Sequence, residues 1–163
     1  MLKNLIGFTA VLLLGVLGGC RSPGLPKAQE GVFVLWKTPV MRYADQGFLY
    51  RGEKRIRLEV YANGQAVMRL SVTSTQICSG ALCMSPKTFN LRYLSPAYPP
   101  TLLFHLLSGE PIFGGEGKKE LEGGWLQEIH RAGEYDIHYR VSKDSIDFRD
   151  TINAIVIKIN KEK

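Results

Sequence analysis

Alternation of apolar and polar side chains is the feature that most constrains this fold. From Ile56 to Val60 every second residue is apolar, and the alternation resumes from Ala66 to Val72. The dipeptide Asn63-Gly64 between the two runs is a strong signal for a two-residue hairpin turn. A period of two is typical of a strand that buries one face. The sequence therefore predicts an antiparallel strand pair, because so short a turn reverses the chain.

More strands are predicted on both sides of this pair. Gly47 to Tyr50 opens the same meander. A second group lies near the end of the chain, where apolar residues again recur at every second position. Its segments are Trp125 to Arg131, Ile137 to Val141, Ile146 to Phe148 and Ile155 to Ile159.

The middle of the chain has helical signals. Ser85-Pro86 starts a predicted short helix that runs towards Tyr93, and a leucine stripe over 102–107 predicts a second helix that ends at Gly109. The segment 114–124 is polar and rich in glycine, and we expect a loop there. Strands, one or two short helices and then strands predict an α+β fold built on an antiparallel sheet.

The first twenty residues have the pattern of a secretory signal. Lys3 precedes an apolar run from Leu5 to Leu17, and small residues lead to Cys20. The run is shorter than the roughly 20 residues that a spanning helix needs. A cysteine at the cleavage point resembles the bacterial lipobox, which implies cleavage before Cys20 and acylation of that residue. The alternative is an ordinary signal followed by a buried or chance cysteine.

This interpretation divides the chain into a signal peptide (1–19), a lipidated flexible tether (20–31) and one domain (32–163). In lipoproteins of the kind that the lipobox resembles, an Asp after the cysteine signals retention in the inner membrane. Arg21 therefore favours the periplasmic face of the outer membrane. Removal of Lys3 changes the net charge from +6 to +5, from 21 to 20 basic residues against 15 acidic ones, and a basic surface favours anionic lipid headgroups.

The other two cysteines, Cys78 and Cys83, are five positions apart around a glycine. In an oxidising compartment such a pair predicts a disulfide. A metal site would need further ligands, and no histidine lies nearby in the sequence. A thioredoxin-type pair would need two residues between the cysteines, and here there are four.

Several segments of the second half resemble the lipoprotein-sorting family of LolA and LolB. The likeness covers roughly residues 45–160, and the lipobox favours the lipidated receptor LolB over the soluble carrier LolA. The matching segments are Tyr98-Pro99-Pro100, Leu102 to Leu107, Gly109-Glu110-Pro111, Trp125 to Ile129, Tyr135 to Tyr139 and Ile152 to Ile159.

The resemblance implies a curved antiparallel sheet, a half-open β-barrel covered by one or two short helices, with an apolar cavity for acyl chains. The alternative for every candidate lining residue is a filled core. The resemblance also implies an exposed apolar loop residue that inserts into the membrane; Leu82 is the candidate, and an ordinary buried leucine is the alternative. The candidate cavity residues are Leu58, Val60, Met68, Leu70, Leu103, Leu106, Leu107 and Tyr139.

Catalytic signatures are missing from the sequence. There is no Gly-x-Ser-x-Gly, no His-Glu-x-x-His and no phosphate-binding loop, although Asp136 and Asp147 could act as an acid–base pair. We therefore expect no enzyme, catalytic residue, metal or cofactor, and no nucleic-acid partner. The predicted protein is a monomer that binds acyl chains of lipidated proteins received from a periplasmic carrier. The alternative is a structural or assembly lipoprotein that binds a protein partner of the cell envelope.

Overall fold

A single antiparallel sheet of eleven strands dominates the computed structural model, which describes residues 28–162. Two α-helices, α1 (Pro86–Tyr93) and α2 (Leu102–Ser108), lie between the sixth and seventh strands, and a short 3₁₀ turn (Phe113–Gly115) follows them. The strands are β1 (Ala28–Lys37), β2 (Arg42–Arg51), β3 (Ile56–Ala62), β4 (Gln65–Val72), β5 (Ile77–Ser79), β6 (Leu82–Met84), β7 (Lys118–Leu121), β8 (Gly124–Arg131), β9 (Tyr135–Ser142), β10 (Ser145–Asp150) and β11 (Ile155–Lys161).

The strand order is that of two meanders joined in the middle of the sheet. It runs β6-β5-β4-β3-β2-β1-β11-β10-β9-β8-β7, so the first and last strands are neighbours. Their register pairs Val34 with Ile159 and Trp36 with Ile157, and all four side chains are buried on the same face. β1 begins at Ala28, inside the segment 20–31 that the sequence predicts as a tether.

Both predicted helices are confirmed, and local chemistry sets their ends. Ser85 caps α1, because its hydroxyl accepts a hydrogen bond from the backbone N–H of Thr88 at 3.1 Å. Pro86 occupies the first turn, where its missing N–H costs nothing. α2 ends at Gly109, which has a φ of 74° and so adopts the left-handed conformation that favours glycine.

The core lies on one face of the sheet, which we call the inner face. α2 packs there and contacts both β3 and β10, which are four positions apart in the strand order. In a flat sheet, four steps of about 4.8 Å would separate these strands by about 19 Å, whereas a helix is only about 10–12 Å wide. The sheet therefore bends around α2, and the four leucines of the helix are completely buried.

The predicted fold class, an α+β half-open barrel, is wrong. Most of the described chain belongs to one large open sheet with β6 and β7 at its edges, and α1 and α2 are short. The predicted loop over 114–124 is also wrong, because β7 lies within it. All four residues of β7 are exposed, so neither of its faces needs apolar residues. The period-two signal is therefore absent from this strand.

Candidate functional site

The eight residues predicted to line an acyl site come together in the core. They lie on β3, β4, α2 and β9, all face the inner side of the sheet, and none is more than 5% exposed. They are packed against one another and against the rest of the core rather than along an open channel. The eight are Leu58, Val60, Met68, Leu70, Leu103, Leu106, Leu107 and Tyr139.

A small pocket opens beside the C-terminal end of α2. Its volume is about 190 Å³, less than the roughly 300–1,000 Å³ of typical small-molecule sites. The floor is apolar, formed by Val141, Ile146 and Ile159, and the rim is polar. A whole acyl chain therefore needs more room than this pocket gives. The rim residues are Glu30, Arg51, Ser108, Gly109, Ser142, Lys143, Asp144, Ser145 and Lys161.

Two side chains of the sheet donate hydrogen bonds to the C-terminal end of α2. The Tyr139 hydroxyl donates to the carbonyl of Leu106 at 3.2 Å, and Nε of Arg51 donates to the carbonyl of Leu107 at 3.0 Å. Burial raises the pKa of Tyr139 above its ordinary value, so the hydroxyl keeps its proton. Arg51 also forms an ion pair with Glu30, which is further bound by Lys161 at 3.0 Å.

The chain before α2 is anchored by buried polar side chains. Nδ2 of Asn90 donates to the carbonyls of Tyr98 at 3.3 Å and Pro99 at 3.1 Å. The Tyr98 hydroxyl donates to the carboxylate of Asp150 on β10. Burial first, and then this hydrogen bond, raise the pKa of Tyr98. The segment that leads into α2 is thus fixed to both α1 and the sheet.

The chain after α2 is anchored by Gln127, which is completely buried on β8. Its amide forms a closed pair with Ile112, accepting from the backbone N–H at 2.8 Å and donating to the carbonyl at 3.0 Å. The same amide donates to the carbonyl of Glu116 at 2.7 Å. A buried amide satisfied in this way holds the segment on the sheet.

Between these two anchors, α2 has few polar contacts of its own. It is only seven residues long, and Thr101 at its start makes no side-chain capping bond. A helix of this length is not stable alone in water. Its position therefore depends mainly on the burial of Leu102, Leu103, Leu106 and Leu107.

The cysteine pair closes a hairpin at one edge of the sheet. Cys78 on β5 faces Cys83 on β6, and the two sulfur atoms are 2.08 Å apart, at disulfide distance. Leu82 is next to Cys83, at the start of β6, and is 56% exposed. Its insertion into a membrane stays a prediction, whereas burial beneath the hairpin is excluded.

We predict that the Cys78–Cys83 bridge contributes about 2 kcal/mol to the free energy of unfolding, the value expected for closing so short a loop. The double variant Cys78→Ser/Cys83→Ser, made in a Cys20→Ser background, should lose that amount in a urea titration. The Cys20→Ser protein is the control, and it should show no titratable thiol after denaturation without reductant. Two thiols per chain in that control would contradict the bridge.

Sequence reasoning missed the polar residues that anchor the segments around α2. Gln127 occupies an inward position of an alternating strand, between Trp125 and Ile129. A polar residue at such a position is a detectable signal for a buried hydrogen-bond network. Asp150 ends β10 and precedes Thr151-Ile152-Asn153, a sequence typical of a side chain that caps its own turn.

The remaining candidates do not converge. Of the three histidines, His130 and His138 lie on adjacent strands and contact Asp136 and Glu128 at 3.4 and 3.6 Å, whereas His105 lies on α2. Asp147 forms an ion pair with Lys158. Among residues 28–162, no group of three or more His, Cys, Asp or Glu side chains is arranged to hold a metal. Cys20 and the signal segment lie outside the described residues.

No protein-family model matches the sequence, and no curated protein matches it either. Within the part of the chain that the structure describes, none of the helices has the length and apolar character needed to cross a membrane.

Proposed function

We propose that this chain is a cell-envelope lipoprotein, anchored through acylated Cys20 at the periplasmic face of the outer membrane, that takes up an acyl chain of lipidated cargo. In this role it acts like the receptor of the LolA and LolB lipoprotein-sorting family. The ligand lies on the inner face of the sheet, in the place that α2 occupies in the closed molecule. One observation carries the proposal: a short helix held mainly by four leucines covers the middle of an apolar, bent sheet.

The exchange of α2 for an acyl chain is close to neutral in energy. Full burial of one leucine contributes about 1.5–3 kcal/mol, so that four contribute about 6–12 kcal/mol. An acyl chain of about fifteen CH₂ groups contributes about 12 kcal/mol at about 0.8 kcal/mol for each group. Exposure of the four leucines to water would be too costly without a ligand. A ligand of matching apolar area can take their place in the core and offset that cost.

The anchors on either side of α2 favour movement of this helix without unfolding of the sheet. Tyr98 and Gln127 hold the flanking segments at positions that do not depend on α2 itself. The bonds that must break are those from Tyr139 and Arg51 to the last turn of the helix. The neutral bond from Tyr139 contributes about 0.5–1.5 kcal/mol net and the charged bond from Arg51 about 1.5–3 kcal/mol, and both are smaller than the apolar contributions.

We predict that Tyr139→Phe binds an acylated probe more tightly than the wild type. Loss of the hydroxyl removes the bonds to the carbonyls of Leu106 and Glu110, so that the open form becomes more populated. The apparent affinity for the probe rises in proportion to the fraction of molecules in the open form. Loss of about 0.5–1.5 kcal/mol of hydrogen bonding should therefore raise the affinity about 2–10-fold. The measurement is fluorescence anisotropy of a palmitoylated peptide, with the same peptide without its acyl chain as the ligand control.

Tyr43→Phe is the matched control, since the Tyr43 side chain packs against the core and its hydroxyl has no hydrogen-bond partner among the described residues. This variant should bind the probe as the wild type does. Equal affinity of both variants would contradict displacement of α2. If the wild-type protein bound the palmitoylated peptide no more tightly than the peptide without an acyl chain, that result would contradict acyl binding.

The closed core supports a second candidate function. If the inner face never opens, the exposed apolar residues become the remaining sites of interaction, and the chain acts as a structural or assembly lipoprotein with a protein partner. Exposed large apolar side chains occur on the strands, in the turns between them and on α1. They are Phe33, Val40, Phe48, Val67, Leu82, Leu91, Leu121 and Ile152. Failure of the palmitoylated peptide to bind would favour this second function.

A further inference from the structure

The outer face of β1–β4, opposite to the core, is unusually aromatic. Alternation places Phe33 and Phe48 on this face, and they are 42% and 39% exposed. The register pairs Phe33 with Gln46 and Gly31 with Phe48, so the two phenylalanines are diagonal neighbours within reach of each other. Gly31 has no side chain, and the side chain of Glu162 lies beside it, with Oε2 3.5 Å from the position that a Cβ of residue 31 would take.

Further rings and an aliphatic side chain extend this surface across the meander. The ring of Phe48 lies 5.9 Å from that of Tyr61 and 6.3 Å from that of Tyr50. The guanidinium of Arg57 lies 4.1 Å from the centre of the Tyr50 ring. Val67, on β4 beside Tyr61, is 44% exposed. Together these residues form a continuous amphipathic strip, which we call the aromatic face.

The aromatic face is also basic, whereas the outer face of β8–β11 is not. The outward positions of β1–β4 carry four cations and one anion, a net charge of +3, which Glu162 beside Gly31 lowers to +2. Those of β8–β11 carry three cations and three anions, a net charge of zero with neutral histidines. The first set is Lys37, Arg42, Arg57, Arg69 and Glu59, and the second is Arg140, Arg149, Lys158, Glu128, Asp136 and Asp147.

We propose that the aromatic face lies on the headgroup layer of an anionic bilayer. Tyrosine rings, which have an apolar body and a polar edge, favour the membrane–water interface, and phenylalanine side chains bury at the boundary between headgroups and acyl chains. Each Lys or Arg near an anionic surface strengthens binding about fivefold, the equivalent of about 1 kcal/mol. The glutamate on this face, Glu59, is largely covered; it accepts a hydrogen bond from the Tyr61 hydroxyl and forms an ion pair with Arg57.

The position of the predicted tether favours a bilayer as the partner that contacts the aromatic face. β1 starts at Ala28, and its second residue, Gln29, pairs with Tyr50 of the aromatic face. From Cys20 to Ala28 the chain spans at most about 29 Å, and Phe33 lies only about 17 Å along the strand from Ala28. This step rests on the proposed anchor at Cys20: a domain held there can lie with its aromatic face on the same membrane.

Vesicle binding tests the inference without the anchor. The mature chain from residue 20, carrying Cys20→Ser, is sedimented with vesicles of phosphatidylethanolamine and phosphatidylglycerol, and with vesicles of phosphatidylcholine alone. We expect binding to the anionic vesicles only. The pair Lys37→Gln/Arg42→Gln should weaken it about 25-fold, fivefold for each cation removed. Both cations are exposed and have no carboxylate partner among the described residues.

Arg140→Gln/Arg149→Gln is the matched control, with the same loss of charge on the other half of the outer face. It should change binding less than about twofold. A second pair, Phe33→Thr/Phe48→Thr, should lower binding about tenfold, whereas Leu121→Thr/Ile152→Thr should not. Equal losses in the two charge pairs, or no binding of the unsubstituted chain to anionic vesicles, would overturn the proposal. Neither result depends on whether an acyl chain takes the place of α2. The proposal of membrane contact and the proposal of acyl binding can therefore fail separately.

Discussion

Replacement of Asp150 by alanine should lower the free energy of unfolding by about 3–5 kcal/mol, the range for removing one member of a buried charged network. The Asp150 side chain is 1% exposed. Its carboxylate accepts from the Tyr98 hydroxyl, from the backbone N–H groups of Asp136, Ile152 and Asn153, and from Nδ2 of Asn153. Alanine leaves these donors without an acceptor, and each unpaired buried group costs about 1–3 kcal/mol.

Two comparisons separate this network from a general effect of charge. Asp147→Ala removes a carboxylate from the same strand, but its ion pair with Lys158 is partly exposed. That variant should lose no more than about 1 kcal/mol. Asp150→Asn keeps one acceptor oxygen and should lie between the two. Guanidinium titrations of the three variants give the free energies, and equal losses for Asp147→Ala and Asp150→Ala would contradict the proposed network.

The same variant connects stability with function. Hydrogen bonds from Asn90 tie the segment before α2 to α1. Tyr98 ties the same segment to the sheet, through its bond to Asp150 and through packing of its ring against Tyr135 and Phe148. Without the carboxylate, the link to the sheet loses its hydrogen bond and depends on ring packing. The position from which α2 moves is therefore partly set by a residue at the opposite end of β10 from the polar-rimmed pocket.

Sequence patterns predicted most of the elements in which one face is buried, but they missed β1, whose Val32, Val34 and Trp36 alternate at buried positions. The alternation over β3 and β4 and the proline and glycine at the ends of the helices each reflect a local physical requirement. The other missed strands are either fully exposed or very short. β7 is fully exposed, and β5 and β6 have only three residues each, so neither alternation nor length could reveal them.

For the candidate site, the sequence predicts which side chains face inward but not the shape of the space between them. Alternation and the leucine stripe identify which side chains face inward, and all eight chosen residues do so. They do not show whether the space between those side chains is open, because that depends on how α2 seats against a bent sheet. The sequence also carries a signal for the aromatic face, since Phe33 and Phe48 are aromatic residues at outward positions of alternating strands.

Replacement of Cys20 by alanine should abolish incorporation of labelled palmitate into the protein in bacterial cells. The expectation rests on the lipobox resemblance of Leu17-Gly18-Gly19-Cys20, in which the cysteine thiol is the acceptor of the lipid. Acyl label is the appropriate measurement, because an uncleaved apolar run over 5–17 could itself hold the variant on a membrane. Fractionation alone would then give the same result for an acylated and an unacylated chain.

The double variant Cys78→Ser/Cys83→Ser is the matched control, since it removes the other two cysteines and leaves the predicted acceptor. It should keep the full wild-type label. We expect no label in Cys20→Ala and full label in the double variant, because every predicted acyl group is attached to Cys20. More than one acyl chain is needed for stable anchoring. Equal label in the Cys20→Ala variant and the wild type would contradict the lipoprotein assignment. The tether would then no longer support contact between the aromatic face and a bilayer, and that contact would depend on the vesicle measurement alone.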